Sequence, residues 1–409
     1  MNYEKVYNSC ALLGSLRFFA NISNSIHLIH GPSGCTYFST MAVHTLNNVQ
    51  IRQRCPQIYS TDFNENDVVF GGTEKIKSAI LELHEKYAPE VIFVYNCCVT
   101  EIIGENIEDI CNSLQANNGI NCIPVKSAGF KGNHQLGMKE AGKLLVSRLL
   151  RDVTPEPIKR SINILGNMQI TNHSLRELTY YLQKAGIHIN IVFPGESSLS
   201  QIRQMPNAEL NYVLCGVSSL QLAQDMNDKF NIPYILDGKL FTGVNHCRSM
   251  LNEVYSHFSV SSEEYIHAHS SIIERLEGYR KYFCNKTAIV VAGSSRSMGY
   301  TELLTELGIE VKLVFSEEND AGSVKNDLLK FSTGIMLNES AEQLSKIISE
   351  LSPDYVVTTL KEIVMPEPYI YLKQRNYSGF NGVLQLAEEL QASDKSPVNR
   401  YYRALSRKK

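Results

Sequence analysis

Four cysteines of this 409-residue chain stand where a buried apolar run gives way to a loop: Cys10 in NSC, Cys35 closing IHLIHGPSGC, Cys98 closing VIFVYNCC, and Cys215 closing NYVLC. Such positions suit ligands of a metal cluster, which must be deprotonated, fixed and shielded from water. Around Cys35, the residues Gly31, Pro32 and Gly34 set a tight turn that holds a thiol rigidly with backbone N–H groups close by. Cys98 precedes a helix expected to begin near Ile102, whose free amides and positive dipole end favour a thiolate. Cys215 is followed by Gly216 and a helix with an apolar stripe of Leu222, Ala223, Met226 and Phe230, so the second setting repeats the first. Packing explains the same residues without chemistry, because cysteine is among the most commonly buried residue types. No C-x2-C spacing marks a zinc or ferredoxin motif. A cluster on Cys10, Cys35 and Cys98 would be one ligand short of the usual four, so a partner chain or a different atom must complete it. Cys55, Cys97, Cys111, Cys122, Cys247 and Cys284 have no comparable setting, and Cys97 is expected to point to the side of its strand away from Cys98.

The elements that position these residues alternate β-rich runs with amphipathic segments, the pattern of parallel sheets with crossover helices. The helix TEKIKSAILELHEKY places Ile76, Ile80, Leu81 and Leu83 close to one stripe, and the strand EVIFVYNCC spans Glu90 to Cys98. IIGENIEDICNSLQ reads as a single helix. The polar stretch from Arg151 to Ser161 carries two prolines and reads as a linker. After it the strand and helix cycle restarts at INILGN and again at KTAIVVAGSS. The fold class is therefore α/β, with three doubly wound Rossmann-like domains and parallel sheets around a central cleft, at 1–155, 156–283 and 284–409. Open sheets of this kind collect ligands at the carboxyl ends of their strands, where these cysteines lie.

Composition narrows the function further. With 39 Lys+Arg against 42 Asp+Glu, the net charge of −3 argues against a general nucleic-acid binder. The longest apolar runs fall short of the ~20 residues of a membrane span, and the first residues lack a secretion signal, so a soluble cytoplasmic protein is expected. Ten cysteines are too few for a disulfide scaffold in a chain of this length and many for a reduced enzyme. No G-x-x-x-x-G-K-[ST] motif is present, which assigns any nucleotide hydrolysis to another protein.

Long motifs in consistent order carry a resemblance. NSCALLGSLRFFANISNSIHLIHGPSGC, YSTDFNENDVVFGGTEKIKSAI, FVYNCCVTEIIGENIEDIC, IPVKSAGFKGNHQLGMKEAG, NYVLCGVSSLQLAQDMNDKFNIPYILDGKLFTG and RNYSGFNGVLQLAEEL together resemble the nitrogenase component 1 family over essentially the whole chain. The resemblance implies three α/β domains and pairing with a homologous second subunit, NifN-like or beta-type, in an α2β2-like complex. It also implies electrons from an ATP-dependent Fe–S reductase, the Fe protein. By resemblance, Cys10, Cys35 and Cys98 match the three cysteines given to an Fe–S cluster shared with the partner, of [4Fe–4S] or P-cluster-like type. Cys215 matches the cysteine that ligates one end of the large iron–sulfur cofactor or holds its precursor.

The departures from the family are equally specific. Dinitrogen-reducing subunits carry a His in the segment that here reads NYSGFNG, where Phe380 and Asn381 stand instead. Leu136 and Gly137 are followed by Met138 rather than a second His, with His134 and Gln135 nearby as residues able to contact a ligand. Arg296 in AGSSRSMG is the one basic residue of its turn and suits an anionic cluster at a helix N-terminus. A site with Cys215 and no opposing His suits transient holding of a cluster, and the motifs look closest to the NifE scaffold branch of cofactor assembly. No catalytic residue is assigned. A nitrogenase-like reductase acting on carbon–sulfur bonds or tetrapyrroles is the alternative, and an α/β protein without Fe–S that binds a small ligand in the central cleft is the third reading.

Overall fold

Twelve parallel strands form three four-stranded sheets in the computed structural model, which describes residues 9–49, 56–166, 172–261, 263–316, 334–337, 341–358 and 377–396. The first sheet runs β2-β1-β3-β4, from Ser25–His30 (β1), Gln57–Ser60 (β2), Val91–Asn96 (β3) and Cys122–Val125 (β4). The second runs β6-β5-β7-β8, from Ser161–Leu165 (β5), His188–Phe193 (β6), Leu210–Val213 (β7) and Tyr234–Leu236 (β8). The third runs β11-β10-β9-β12, from Thr287–Val291 (β9), Glu310–Ser316 (β10), Ile335–Leu337 (β11) and Tyr355–Thr358 (β12). In each sheet the winding reverses once: between β1 and β3, between β5 and β7, and between β9 and β12. A crevice opens at the carboxyl ends of such a strand pair because the two following segments leave in opposite directions.

The central strands are buried on both faces, which is why they read as unbroken apolar runs. Every residue of β1 and β3 is buried, including His27, whose Nδ1 lies 2.9 Å from the Tyr95 hydroxyl. One face of the first sheet packs Ile26, Leu28 and Val94 on the helices Thr73–Tyr87 and Ile107–Asn118. Its other face shares a core with the second sheet, where Phe19, Phe93 and Met138 meet Leu165, Val213 and Leu222. The second and third sheets are joined in the same way through Ile164, Tyr212, Val290 and Phe380. Across that junction, Glu306 accepts the N–H groups of Val244 and Asn245 at 2.9 and 2.8 Å, satisfying amides at the start of the helix Val244–His257.

Three local features differ from the sequence expectation. Leu81 is 40% exposed and lies off the Ile76, Ile80 and Leu83 stripe. Five residues at 100° each turn it about 140° from Ile76. The strand expected from Glu90 to Cys98 is shorter, because Cys97 already caps a helix that Cys98 begins. The helix expected over IIGENIEDICNSLQ is two, Cys98–Ile102 and Ile107–Asn118; they are separated by Gly104 at φ +82°, and Asn106 restarts the chain by accepting the Asp109 N–H at 3.3 Å. Cys55, Asn376 of NYSGFNG and the tail RALSRKK lie outside the described residues.

The helix His134–Leu144 is held between two others at backbone distance. Against Ala11–Phe19 the crossing is made of glycines: a side chain on Gly14 would overlap the His134 carbonyl, and one on Gly137 the Ala11 carbonyl. On the other side, a Cβ on Gly142 would stand 3.3 Å from the Leu222 nitrogen in the helix Gly216–Phe230. No helix among the described residues is long and apolar enough to cross a membrane.

Candidate metal-cluster site

The crevice between β1 and β3 receives three separate chain segments. Pro32 accepts the Cys35 N–H at 3.0 Å at the start of the helix Ser33–Val49, so the turn after β1 fixes Cys35. β3 delivers Cys97 and Cys98 at the start of the short helix Cys98–Ile102. Cys10 caps the helix Ala11–Phe19 and forms an isolated antiparallel bridge with Asn133, reinforced by the Ala11 N–H donating to the Gly132 carbonyl at 2.9 Å. That bridge brings the loop carrying Gly129 against the cysteines. A Cβ on Gly129 would stand 3.1 Å from the Cys98 sulfur and 3.4 Å from the Cys10 sulfur. Cys10 and Cys35 are half-buried and Cys98 is exposed, so the thiols open to the outside of the fold.

Cys97 stands nearer to this group than its sequence setting implied. It is buried while Cys98 is exposed, and its sulfur fills the space that a side chain on Gly31 would need, a Cβ there standing 2.5 Å away. The neighbouring Cys97 thiol, followed by burial, pushes the Cys35 thiol up; the same pairing brings Cys97 down to about 6 against its burial, helped by the Thr100 and Val99 N–H groups at the helix start. The signal available in the sequence was the doubled cysteine at a strand-to-helix junction.

Among the described residues no three His, Cys, Asp or Glu side chains close around a single metal ion. The thiols are instead distributed about Gly129, whose missing side chain leaves room between Cys10 and Cys98. This donor set fits a cluster in which each thiolate holds a different iron, and does not fit a mononuclear zinc site. Other Cys residues pack or face solvent: Cys111, Cys122 and Cys247 are buried and Cys284 is exposed.

The second crevice, between β5 and β7, holds Cys215. It caps the helix Gly216–Phe230 and is 1% exposed, with its sulfur 3.6 Å from the Ser295 hydroxyl of the turn after β9. Gly166 at the end of β5 has φ +84°, and a Cβ there would stand 2.8 Å from the Cys215 nitrogen, so only glycine lets the two strand ends approach. Arg296 follows Ser295, and its buried Nε has no hydrogen-bond partner among the described residues, as expected of a guanidinium facing an anionic ligand. The structure thus brings Cys215 and the Arg296 turn together.

His134 and Gln135 begin the helix capped by Asn133. Gln135 lines a groove of about 430 Å³ with Leu136, Lys139, Gly216, Val217 and Gln221, immediately beyond Cys215 in the chain. Asn381 stands apart from this group: it is exposed at the start of the helix Gly382–Lys395, while Phe380 is wholly buried against Tyr181 and Phe241. Of the two, Phe380 therefore fills the core between the second and third sheets.

Around the exposed thiols lies an apolar rim. Tyr37, Phe38 and Met41 follow Cys35, Ile102 and Ile103 follow Cys98, and Phe130 follows Gly129; all six are exposed.

Residues 10–393 match the sequence profile of the nitrogenase component 1 type oxidoreductases. The chain is 30% identical over 412 residues to the nitrogenase iron-molybdenum cofactor biosynthesis protein NifE of Clostridium pasteurianum, covering 95% of this chain and 88% of that protein. It is 29% identical over 414 residues to NifE of Nostoc sp., covering 95% and 83%. Among solved structures, nitrogenase Cp1 at pH 6.5 superposes with a TM-score of 0.78 at 21% identity, covering 96% of this chain and 90% of that one, a likeness of fold. With three sheets wound alike and cysteines at the reversal points of two of them, the chain belongs to the nitrogenase component 1 type oxidoreductase family.

Proposed function

We propose that this chain is a NifE-type scaffold subunit for biosynthesis of the nitrogenase iron–molybdenum cofactor. The observation that carries the reading is the convergence of Cys10 and Cys98 on Gly129, with Cys35 beside them, in a chain whose relatives bear the cofactor-biosynthesis name. In this reading the unit 1–155 holds an Fe–S cluster, [4Fe–4S] or P-cluster-like, through Cys10, Cys35 and Cys98. The unit 156–283 holds the large iron–sulfur cofactor or its precursor at Cys215, with Gln135 and His134 on the neighbouring helix, and the unit 284–409 contributes Arg296, with Asn381 at its far side. The bound clusters supply low-potential electron transfer; the chain's own residues fix the thiolates and shield them.

The exposed apolar rim supports a partner over the first cluster. Six large apolar side chains around half-buried thiols are costly to leave in water, and a homologous second subunit, NifN-like or beta-type, would cover them and complete the ligand set in an α2β2-like assembly. An ATP-dependent Fe protein would deliver electrons to it, in the cytoplasm. The test is transfer: the complex isolated without oxygen is expected to pass its large cluster to a cofactor-free nitrogenase and restore its activity. Absence of transfer together with turnover of a substrate by the complex itself would overturn the scaffold role in favour of a reductase.

A further inference from the structure

Ser295 reaches Cys215 across the boundary between two sheets. It stands in the first turn of the helix Ser294–Glu306, which follows β9 in the third sheet, whereas Cys215 follows β7 in the second. Hydroxyl and sulfur are 3.6 Å apart, and both residues are buried, at 7% and 1% exposure. Serine and threonine in a helix can bond to the backbone of their own turn, and two neighbours do so: Ser297 donates to the Ala292 carbonyl at 2.7 Å and Thr301 to the Ser297 carbonyl at 2.7 Å. The Ser295 hydroxyl has only the Cys215 sulfur as partner among the described residues.

The packing of this helix holds the pair in place. Ser295, Gly299, Glu302 and Glu306 recur at the spacing of one helical face, and the last three meet the segment that follows β8. A Cβ on Gly299 would stand 3.0 Å from the Lys239 carbonyl, Glu302 lies 2.8 Å from Lys239 Nζ, and Glu306 accepts the Val244 and Asn245 amides. Ser295 is the first member of that stripe, and the sulfur of Cys215 is what it meets.

We propose that Ser295 is a positioning residue for the cluster assigned to Cys215, its hydroxyl donating a hydrogen bond to that sulfur in the loaded protein. This role rests on the reading of Cys215 as a cluster ligand. A sulfur bound to iron has given up its proton and can only accept, while a serine hydroxyl always carries one to give. The bond draws charge from the sulfur and, as hydrogen bonds to cluster sulfurs do, favours the reduced, more negative cluster. Cargo held from the second sheet is thereby tuned from the third.

The experiment uses the full chain purified with its partner subunit under anaerobic conditions. Its readouts are iron per complex, the midpoint potential of the electron paramagnetic resonance signal that Cys215→Ala abolishes, and the coupling of an exchangeable proton to that signal, found by electron–nuclear double resonance after transfer to heavy water. Ser295→Ala is expected to keep its iron, to move the midpoint to a more negative value and to lose the exchangeable coupling. Ser295→Thr, which keeps the hydroxyl, is expected to retain both the midpoint and the coupling of the unmodified complex. Either an unmoved midpoint or a retained coupling in iron-loaded Ser295→Ala overturns the role of Ser295 and leaves Cys215 a ligand. Loss of the cluster from both serine variants overturns it too, because the hydroxyl kept in Ser295→Thr would then not be what matters. Full iron and an intact signal in Cys215→Ala would instead overturn the ligand assignment, an outcome that no serine variant can imitate.

Discussion

The backbone of Gly129 lies against the sulfur of Cys98, so near that a Cβ built on the glycine would stand 3.1 Å away. Carbon in contact normally keeps about 3.5–4.0 Å, so any side chain here must displace the thiol, and the Cys10 sulfur at 3.4 Å blocks the other direction. Gly129→Ala is expected to fold as the unmodified chain does and to bind less iron, and Gly129→Val less again. Iron per chain, set beside an unchanged far-ultraviolet circular dichroism spectrum, checks this. A fully loaded Gly129→Val would show that the cluster does not sit between Cys10 and Cys98.

The two cysteine crevices belong to different sheets, and the clusters proposed for them should be lost independently. Cys98→Ala is expected to remove the spectroscopic signal of the cluster proposed for Cys10, Cys35 and Cys98. Cys215→Ala is expected to remove the large cluster while leaving that signal in place. Iron content and electron paramagnetic resonance of the two variants, compared side by side, decide it; unchanged iron in Cys98→Ala would defeat the ligand assignment.

Glu177 joins the second sheet to the C-terminal segment. Its Oε1 accepts the Phe380 N–H at 3.2 Å, and its Oε2 is buried with no hydrogen-bond partner among the described residues. Burial pushes this carboxyl up from 4.5 to about 7. Between those values the native chain keeps a proton that the unfolded chain has released, so the stability contributed by the neutral acid is fully present below about 4.5 and is lost as pH rises through about 7. Glu177→Gln cannot ionise and is expected to exceed the unmodified chain by about 2 kcal/mol at pH 8 and to differ little from it at pH 5. Urea unfolding at both values measures the gap, and a gap independent of pH would contradict the assignment.

Asp237 is a heavily bonded carboxylate among the described residues of the interior. It is reached by the Tyr212 hydroxyl, by His246 Nε2 at 3.1 Å, and by the N–H groups of Lys239 and Phe241 at 2.8 and 3.0 Å. Burial works to raise its carboxyl, but His246 and these donors outweigh that and hold it below the usual carboxylate range. Asp237→Asn puts an amide among donors, and a loss of about 3 kcal/mol is expected in thermal unfolding. The cysteines are not among its partners, so the iron content of the folded variant should be unaltered.

The three sheets were legible because buried parallel strands are continuous apolar runs. Cys97 is parted from Cys98, buried against Gly31 while Cys98 is exposed beside Gly129, but strand alternation is not what parts them. Its side was inferred from strand alternation, but β3 ends at Asn96, and beyond that residue the turn into a helix replaces the two-residue period. The place of Gly129 between Cys10 and Cys98 leaves no local trace, because it depends on the bridge from Cys10 to Asn133 and on three segments that meet only after folding. The exposure of Asn381 was hidden similarly, since nothing in NYSGFNG tells which of Phe380 and Asn381 turns into the core.

The glycine crossing of Ala11–Phe19 with His134–Leu144 has a mechanical meaning for the two cluster sites. Backbone lies on backbone at Gly14 and Gly137, while at Gly142 the approach to the helix that Cys215 caps is looser, a Cβ there standing 3.3 Å from the Leu222 nitrogen. At Gly14 and Gly137 the nearest atoms across the crossing are main-chain ones, which cannot yield by changing rotamer, so the spacing of these two helices is fixed there. The Gln135 end of His134–Leu144 and the Cys10 end of its neighbour are thereby held in one register by main-chain contact.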